Sequence, residues 1–342
     1  MKNWFFRTWT GRLLLVPLAV ILLAVIFVTG ASLYALGAYK RVWDVPLPAT
    51  RAVDDPAVIA RGEYLVHGPA HCADCHAPDA AKEAMFRGEI VPLTGGTGEI
   101  TFLGDWTAPN LTSDSVTGIG AMSDGEIARA LRTGVNREGR IALPFKDTYA
   151  DMAEEDLVAI LSYLRNLKAE PGVAPRKDIN LLGKITLAYF LRPYGPKHPP
   201  VRERFEPEAT AEYGNYIANV TGRCESCHTP RNLKTGAFLG APFSGGMPFM
   251  SRARPGIVYV SPNLTPDSST GVMAAWTEDE FVTVMKRGAV FPDSPMPWGS
   301  YRRMTETDLR ALYRYLHSLA PVYRDNGPVV QTAEEYAARM EK

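Results

Sequence analysis

Two pentapeptides constrain this chain more tightly than any other feature: Cys72-Ala73-Asp74-Cys75-His76 and Cys224-Glu225-Ser226-Cys227-His228. Between them they use all four cysteines of the 342 residues. A Cys-x-x-Cys pair by itself serves a redox dithiol or half of a zinc site, whereas a histidine directly after the second cysteine marks covalent haem attachment. The spacing has a chemical reason. Two thiols about one helical turn apart reach the two vinyl groups of one haem, and the next imidazole ligates the iron. Structural zinc would put two such pairs roughly 12 to 20 residues apart in one small unit, but Cys72 and Cys224 are 152 positions apart. A thioredoxin-like dithiol needs a βαβ context that is missing here. Two disulfides would suit an exported protein, yet would not require a histidine after each pair. The expectation is two covalently bound haem c groups, with His76 and His228 as axial ligands.

The surroundings of the motifs repeat as well. Gly62 and Tyr64 match Gly214 and Tyr216, and Pro109-Asn110-Leu111-Thr112 matches Pro262-Asn263-Leu264-Thr265, each followed by an aspartate and then Thr-Gly. Asp156-Leu157 and Tyr163-Leu164 return as Asp308-Leu309 and Tyr315-Leu316. The chain holds one unit twice. Each unit reads as helical: Leu157, Ile160, Leu161, Leu164 and Leu167 recur every three or four residues, as do Leu309, Leu312, Tyr315, Leu316 and Leu319. Further helices are predicted from Ser123 to Arg132 and from Thr277 to Lys286, each opened by a capping box with Glu126 or Glu280. Gly62 and Gly214 are expected to let another helix approach closely, with Tyr163 or Tyr315 as neighbour. No run alternates as a strand does, so the fold class is expected to be all-α.

From Leu13 to Leu36 the chain carries no charge, and about 20 apolar residues suffice to cross a bilayer as a helix. Lys2, Arg7 and Arg12 precede this stretch together with Trp4, Phe5, Phe6 and Trp9, which by the positive-inside rule leaves the N-terminus in the cytoplasm. A cleaved signal has an apolar core of only about 7 to 15 residues. The expectation is a single-pass anchor in the inner membrane, with the haem domains outside, in the periplasm. Lysine plus arginine (37) balance aspartate plus glutamate (37), so bulk attraction to nucleic acid is not expected. Gly95-Gly96-Thr97-Gly98 lacks the strand–loop–helix setting of a phosphate loop. Seven prolines fall between Glu170 and Glu208. The apolar stretch from Ile179 to Leu191 is too short to span and carries Lys184, so it reads as a buried or interface helix. The layout is therefore 1–40 N-terminus and transmembrane anchor, 41–169 first cytochrome c domain, 170–207 proline-rich linker, 208–324 second cytochrome c domain and 325–342 C-terminal tail.

The haem motif, Asn-Leu-Thr followed by Thr-Gly, the acidic start of the last helix and Met296-Pro297-Trp298 resemble the tandem class I cytochromes c, similar to the cytochrome subunits of membrane-bound alcohol and gluconate dehydrogenases. The likeness covers about two-thirds of the chain and implies electron transfer through redox partner proteins, a dehydrogenase or respiratory or photosynthetic donor on one side and a downstream acceptor on the other. It also implies that Asn110 and Asn263 lie in the loop passing the haem propionates; forming a turn through their own backbone is the competing role. A dihaem peroxidase, with one iron open to peroxide, is the alternative function, and a sensor or assembly protein a third.

The two copies differ most at the sixth ligand. Met296 sits in a Pro-Met-Pro-Trp loop and is expected to ligate the second iron, which would raise its potential. Met304 directly precedes the cap Thr305, where a hydrophobic staple with Leu309 explains it. The first copy has Leu143-Pro144-Phe145-Lys146 in place of Met296-Pro297-Trp298-Gly299. Leucine cannot ligate iron. The candidates are Lys146, whose amine would have to lose its proton, and then Met152, which matches Met304. The competing reading is a surface Lys146 and an ordinary methionine ligand. Met122 and Met85 rank lower.

Overall fold

The computed structural model describes residues 9–96, 98–101, 103–142, 149–172, 177–197, 199–232, 237–251, 253–288, 290–291 and 293–340. Among them the chain is mostly helical, with α1 (Trp9–Ala38), α2 (Pro56–His67), α3 (Ala73–His76), α4 (Lys82–Phe86), α5 (Asp124–Thr133), α6 (Glu154–Asn166) and α7 (Leu181–Tyr189). These are followed by α8 (Ala211–Tyr216), α9 (Cys224–His228), α10 (Glu278–Arg287), α11 (Trp298–Tyr301), α12 (Glu306–His317) and α13 (Ala333–Met340). Six short strands make two antiparallel three-stranded sheets. One sheet joins β1 (Gly98–Thr101), β2 (Gly104–Thr107) and β3 (Lys177–Ile179); the other joins β4 (Pro248–Met250), β5 (Ile257–Val260) and β6 (Val330–Thr332). The all-α expectation thus describes the two cores and is corrected at their margins. Each strand has only three or four residues, too few for alternation to stand out in the sequence.

The capping boxes form as predicted: Ser123 with Glu126 opens α5, and Thr277 with Glu280 opens α10. Asp55 caps α2 by accepting from the N–H groups of Ala57 and Val58. The first and last helices of each half then cross at a glycine. A Cβ at Gly62 would lie 2.0 Å from the carbonyl oxygen of Ala159 and 2.7 Å from Tyr163 Cβ; one at Gly214 would lie 1.9 Å from the carbonyl of Ala311 and 2.8 Å from Tyr315 Cβ. No side chain fits there. One core gathers Leu65, Leu157, Ile160 and Leu161, and the other Ile217, Leu309, Leu312 and Leu316. Met152 and Met304 are fully buried in their cores. Each offers its carbonyl to a cation, Arg132 of α5 for Met152 and Lys286 of α10 for Met304.

The two halves face each other reciprocally, as the surfaces of a twofold dimer do. Tyr64 of the first half donates to Asp308 of the second, and Tyr216 of the second donates to Asp156 of the first, at 2.7 Å. The same hydroxyls accept from the helix-start N–H groups, Tyr64 from Thr305 and Tyr216 from Ala153, both at 3.1 Å. Arg61 completes the contact, pairing with Asp156 at 2.9 Å and reaching Tyr213.

Helix α1 is about 45 Å long at 1.5 Å per residue, and it is long and apolar enough over Leu15–Ala38 to cross a membrane. Its large side chains from Val16 to Val28 are exposed. Helix α7 packs beside it, with the Tyr189 hydroxyl donating to the Ala31 carbonyl at 3.0 Å.

Where α2 meets α6, the buried His67 has Nε2 2.9 Å from the Tyr163 hydroxyl. In the second half Asn219 takes that place and donates to Tyr315 at 2.9 Å. Burial, and then the charge of Arg303, lowers the His67 pKa from 6.5 to about 4. Between those values the unfolded chain binds a proton that the folded one refuses, so stability falls as pH drops through 6.5 and levels off below about 4. The loss at pH 5 amounts to about 2 kcal/mol. Urea titrations at pH 7 and pH 5 should show this loss in the parent and a correspondingly flatter profile in His67→Asn; equal slopes would contradict the assignment.

Candidate functional site

Each Cys-x-x-Cys-His segment folds as one short helix, α3 or α9, and its histidine is buried. His76 Nδ1 is 2.7 Å from the carbonyl of Pro109, and His228 Nδ1 is 3.0 Å from that of Pro262. A carbonyl can only accept, so each imidazole carries its proton on Nδ1 and turns an Nε2 lone pair toward any ligand. Burial lowers the proton affinity of both rings, with the proline carbonyl opposing it. The backbone locks the same residues from the other side, since Gly95 N–H donates to His76 and Gly245 N–H donates to His228. Burial pushes the Cys72 and Cys224 thiols up to about 12.

The carbonyl that orients each imidazole belongs to the residue just before the Asn-Leu-Thr segment. Asn110 is fully buried, and its amide donates to Thr117 at 3.0 Å and to the Glu170 carbonyl at 2.8 Å, while its oxygen accepts from Thr112 N–H. Asn263 repeats this with Thr270, the Val322 carbonyl and Thr265. Asp114 and Asp267 hold the threonines in turn. One amide hydrogen of each asparagine ties the proline loop to the chain beyond the last helix, the other bonds a threonine within the loop, and the side-chain oxygen accepts the N–H two residues on.

Sequence reading overlooked the groups between the two sites. Tyr149 donates to the Ala70 carbonyl at 2.7 Å and Tyr301 to the Gly222 carbonyl at 2.6 Å, each within its own half. Their rings meet the other half: Arg223 lies 5.3 Å over Tyr149, and His71 packs edge-on to Tyr301 at 5.7 Å. Ser300 donates to Asp74 at 2.6 Å across the same seam, and burial raises the Asp74 carboxyl to about 6. The Tyr301 phenol is raised by burial and by coupling to Cys224, Cys227, Asp74 and Tyr149. Both cysteine pairs thus border one shared aromatic seam. A signal for it existed, because Tyr149 and Tyr301 stand 152 positions apart, as Cys72 and Cys224 do.

Met296 is half-buried against the second core, in the turn before α11 where its carbonyl accepts from Trp298 N–H at 2.7 Å. Met152 stands in the first core, at the position corresponding to Met304. Lys146, within 143–148, lies outside the described residues.

Paired cysteines with an oriented, buried imidazole behind each pair are the arrangement that c-type haem attachment calls for. The chain is 28% identical over 295 residues to the cytochrome c subunit of the quinone-dependent alcohol dehydrogenase of Gluconobacter oxydans, covering 81% of this chain and 58% of that protein. It is 27% identical over 303 residues to the gluconate 2-dehydrogenase cytochrome c subunit of Pantoea cypripedii, covering 83% and 64%. It is 30% identical over 236 residues to a dihaem c-type cytochrome of Cereibacter sphaeroides, covering 63% and 77%. No family model matches the chain. It spans about three-fifths of the length of the two dehydrogenase subunits. The chain belongs to the family of c-type cytochromes.

Replacing the amide of Asn263 tests what holds the proline loop. Asn263→Ala leaves the Val322 carbonyl and two threonines short of partners in a buried site, and should cost about 2 kcal/mol or more. A denaturant midpoint within error of the parent would refute the role.

Proposed function

We propose that the chain is a membrane-anchored dihaem cytochrome c that relays electrons from a dehydrogenase, or a respiratory or photosynthetic donor, to a downstream acceptor. One observation carries this reading. The second motif repeats two proximal contacts of the first, the imidazole on a proline carbonyl and the glycine N–H on the histidine carbonyl. Cys72 with Cys75, and Cys224 with Cys227, would hold one haem each, and Nε2 of His76 and of His228 would ligate the irons. Each bound haem supplies a one-electron iron couple. The protein's own work is to fix the imidazoles, bury them and keep the two attachment helices on one seam. Electron transfer agrees with the relatives, which are cytochrome subunits of dehydrogenases. The partner here would then be a dehydrogenase as well, and α1 would hold the complex at the inner membrane with the haem domains in the periplasm.

Extraction with acidified acetone removes haem that is not covalently held. Two haems per chain should remain in the precipitate, and finding one or none would exclude the dihaem reading.

The sixth positions are assigned differently in the two halves. Met296 serves the second iron. For the first iron Lys146 stands before Met152, since Met152 already fills its core as Met304 does. The near-infrared charge-transfer spectrum of the oxidised protein should contain one His/Met signal, lost in Met296→Ala, and a distinct second one that changes in Lys146→Ala. Two equivalent His/Met signals, one of them lost in Met152→Ala, would overturn the assignment.

A further inference from the structure

Helix α7 contributes little to either core, yet it presents a large apolar surface. Leu181 and Leu182 are each 49% exposed, Tyr189 is 38% exposed and Phe190, just past the helix, is 75% exposed. What α7 packs against is α1. The Tyr189 ring lies 5.3 Å from that of Tyr34, its hydroxyl bonds the Ala31 carbonyl, and an apolar cleft of about 510 Å³ between the two helices is lined by Phe27, Gly30, Ile185 and Phe190. The order of contacts gives the direction. Lys184 sits over Tyr39, beyond the end of α1, whereas Tyr189 and Phe190 lie beside residues further back along it. At 1.5 Å per residue, Ala31 is about 10 Å and Phe27 about 16 Å inside the end of α1 at Ala38.

That register fixes depth. The apolar stretch Leu15–Ala38 is about 36 Å long, against a hydrocarbon core of about 30 Å, so a helix crossing there carries Ala31 below the headgroups. The end of α7 goes with it. At the outer rim stand the side chains that favour a membrane interface, with Lys40 over Tyr39 and both Arg41 and Arg192 over Trp43. The cations match anionic headgroups. Asn180 caps the start of α7 by accepting from Gly183 N–H, and at its end the Phe190 and Leu191 N–H groups both donate to the Thr186 carbonyl.

We propose that α7 is a second membrane element, a short re-entrant helix whose exposed face is covered by acyl chains of the outer leaflet. It holds the two halves at a set height and tilt. The inference rests on α1 spanning the bilayer, and the test separates the two claims. In the holoprotein all four cysteine sulfurs are committed to haem, so one added cysteine is the reactive thiol. Full-length Phe190→Cys, Leu182→Cys, Ile21→Cys on α1 and Val116→Cys on an 88% exposed loop are labelled with a nitroxide and placed in nanodiscs containing anionic phosphatidylglycerol. Power saturation then compares access to oxygen, which concentrates in lipid, with access to a water-soluble nickel chelate. The oxygen-to-nickel ratio should rise from Val116 through Leu182 to Phe190 and approach that of Ile21. A Phe190 label as open to nickel as Val116, with Ile21 in lipid, overturns the proposal while leaving the span intact. A Phe190 label shielded from both reagents means that protein covers this face, and also overturns it. Nickel access at Ile21 removes the span, and the proposal with it.

Discussion

The missing side chain at Gly62 lets the carbonyl of Ala159 sit where a Cβ would begin, and Gly214 admits Ala311 in the same way. Much else hangs on that close crossing. With α2 pressed onto α6, Tyr64 emerges on the side facing the other half, and Asp156 at the head of α6 is held for Tyr216 to reach. The helix pair that closes each core therefore also builds the seam between cores. Buried carboxylates tolerate such a place only when several donors satisfy them. Asp156 has Tyr216 and Arg61, and Asp308 has Tyr64 together with its place in the first turn of α12.

A twofold frame does not make the two sites equal. Where the first half has Arg61 the second has Tyr213, so among the described residues only Asp156 of the two gains a guanidinium. The residue before each motif differs too. Arg223 places a permanent cation over Tyr149, beside Cys72, while His71 packs on Tyr301 as a neutral ring, its pKa lowered to about 3 by burial and then by Arg223. The two cysteine motifs therefore stand in different electrostatic settings.

Much of this was legible in the residues. The cysteine motifs, the repeat, both capping boxes and the glycine–tyrosine crossings follow from local pattern, and local pattern is what sequence displays. The strands were not legible because three or four residues cannot establish a period, and because their partners, 177–179 and 330–332, come from the segments read as linker and tail. Asn110 and Asn263 stood out as a repeated pair, but whether their amides face a propionate or a backbone carbonyl depends on where 170 and 322 pass. The seam was hidden for a different reason. Tyr64 and Tyr216 were matched as copies of each other, and nothing in a repeat says that each copy bonds the opposite aspartate rather than its own.

The connections of α1 and α7 to the globular part of the chain give that seam a mechanical role. Trp43 N–H bonds the Gly139 carbonyl at 2.7 Å, and Tyr194 N–H bonds that of Thr133 at 2.9 Å, so both attachments run to the first half. The second half takes its orientation through the interface. A seam of apolar contact alone would permit sliding, because apolar burial has no direction. Hydrogen bonds from phenol to carboxylate and from helix-start N–H to phenol do have direction, and each half supplies one set. Two directional contacts, separated and opposed, fix rotation as well as distance. If the two motifs hold the proposed haems, such a frame would keep the gap between them fixed.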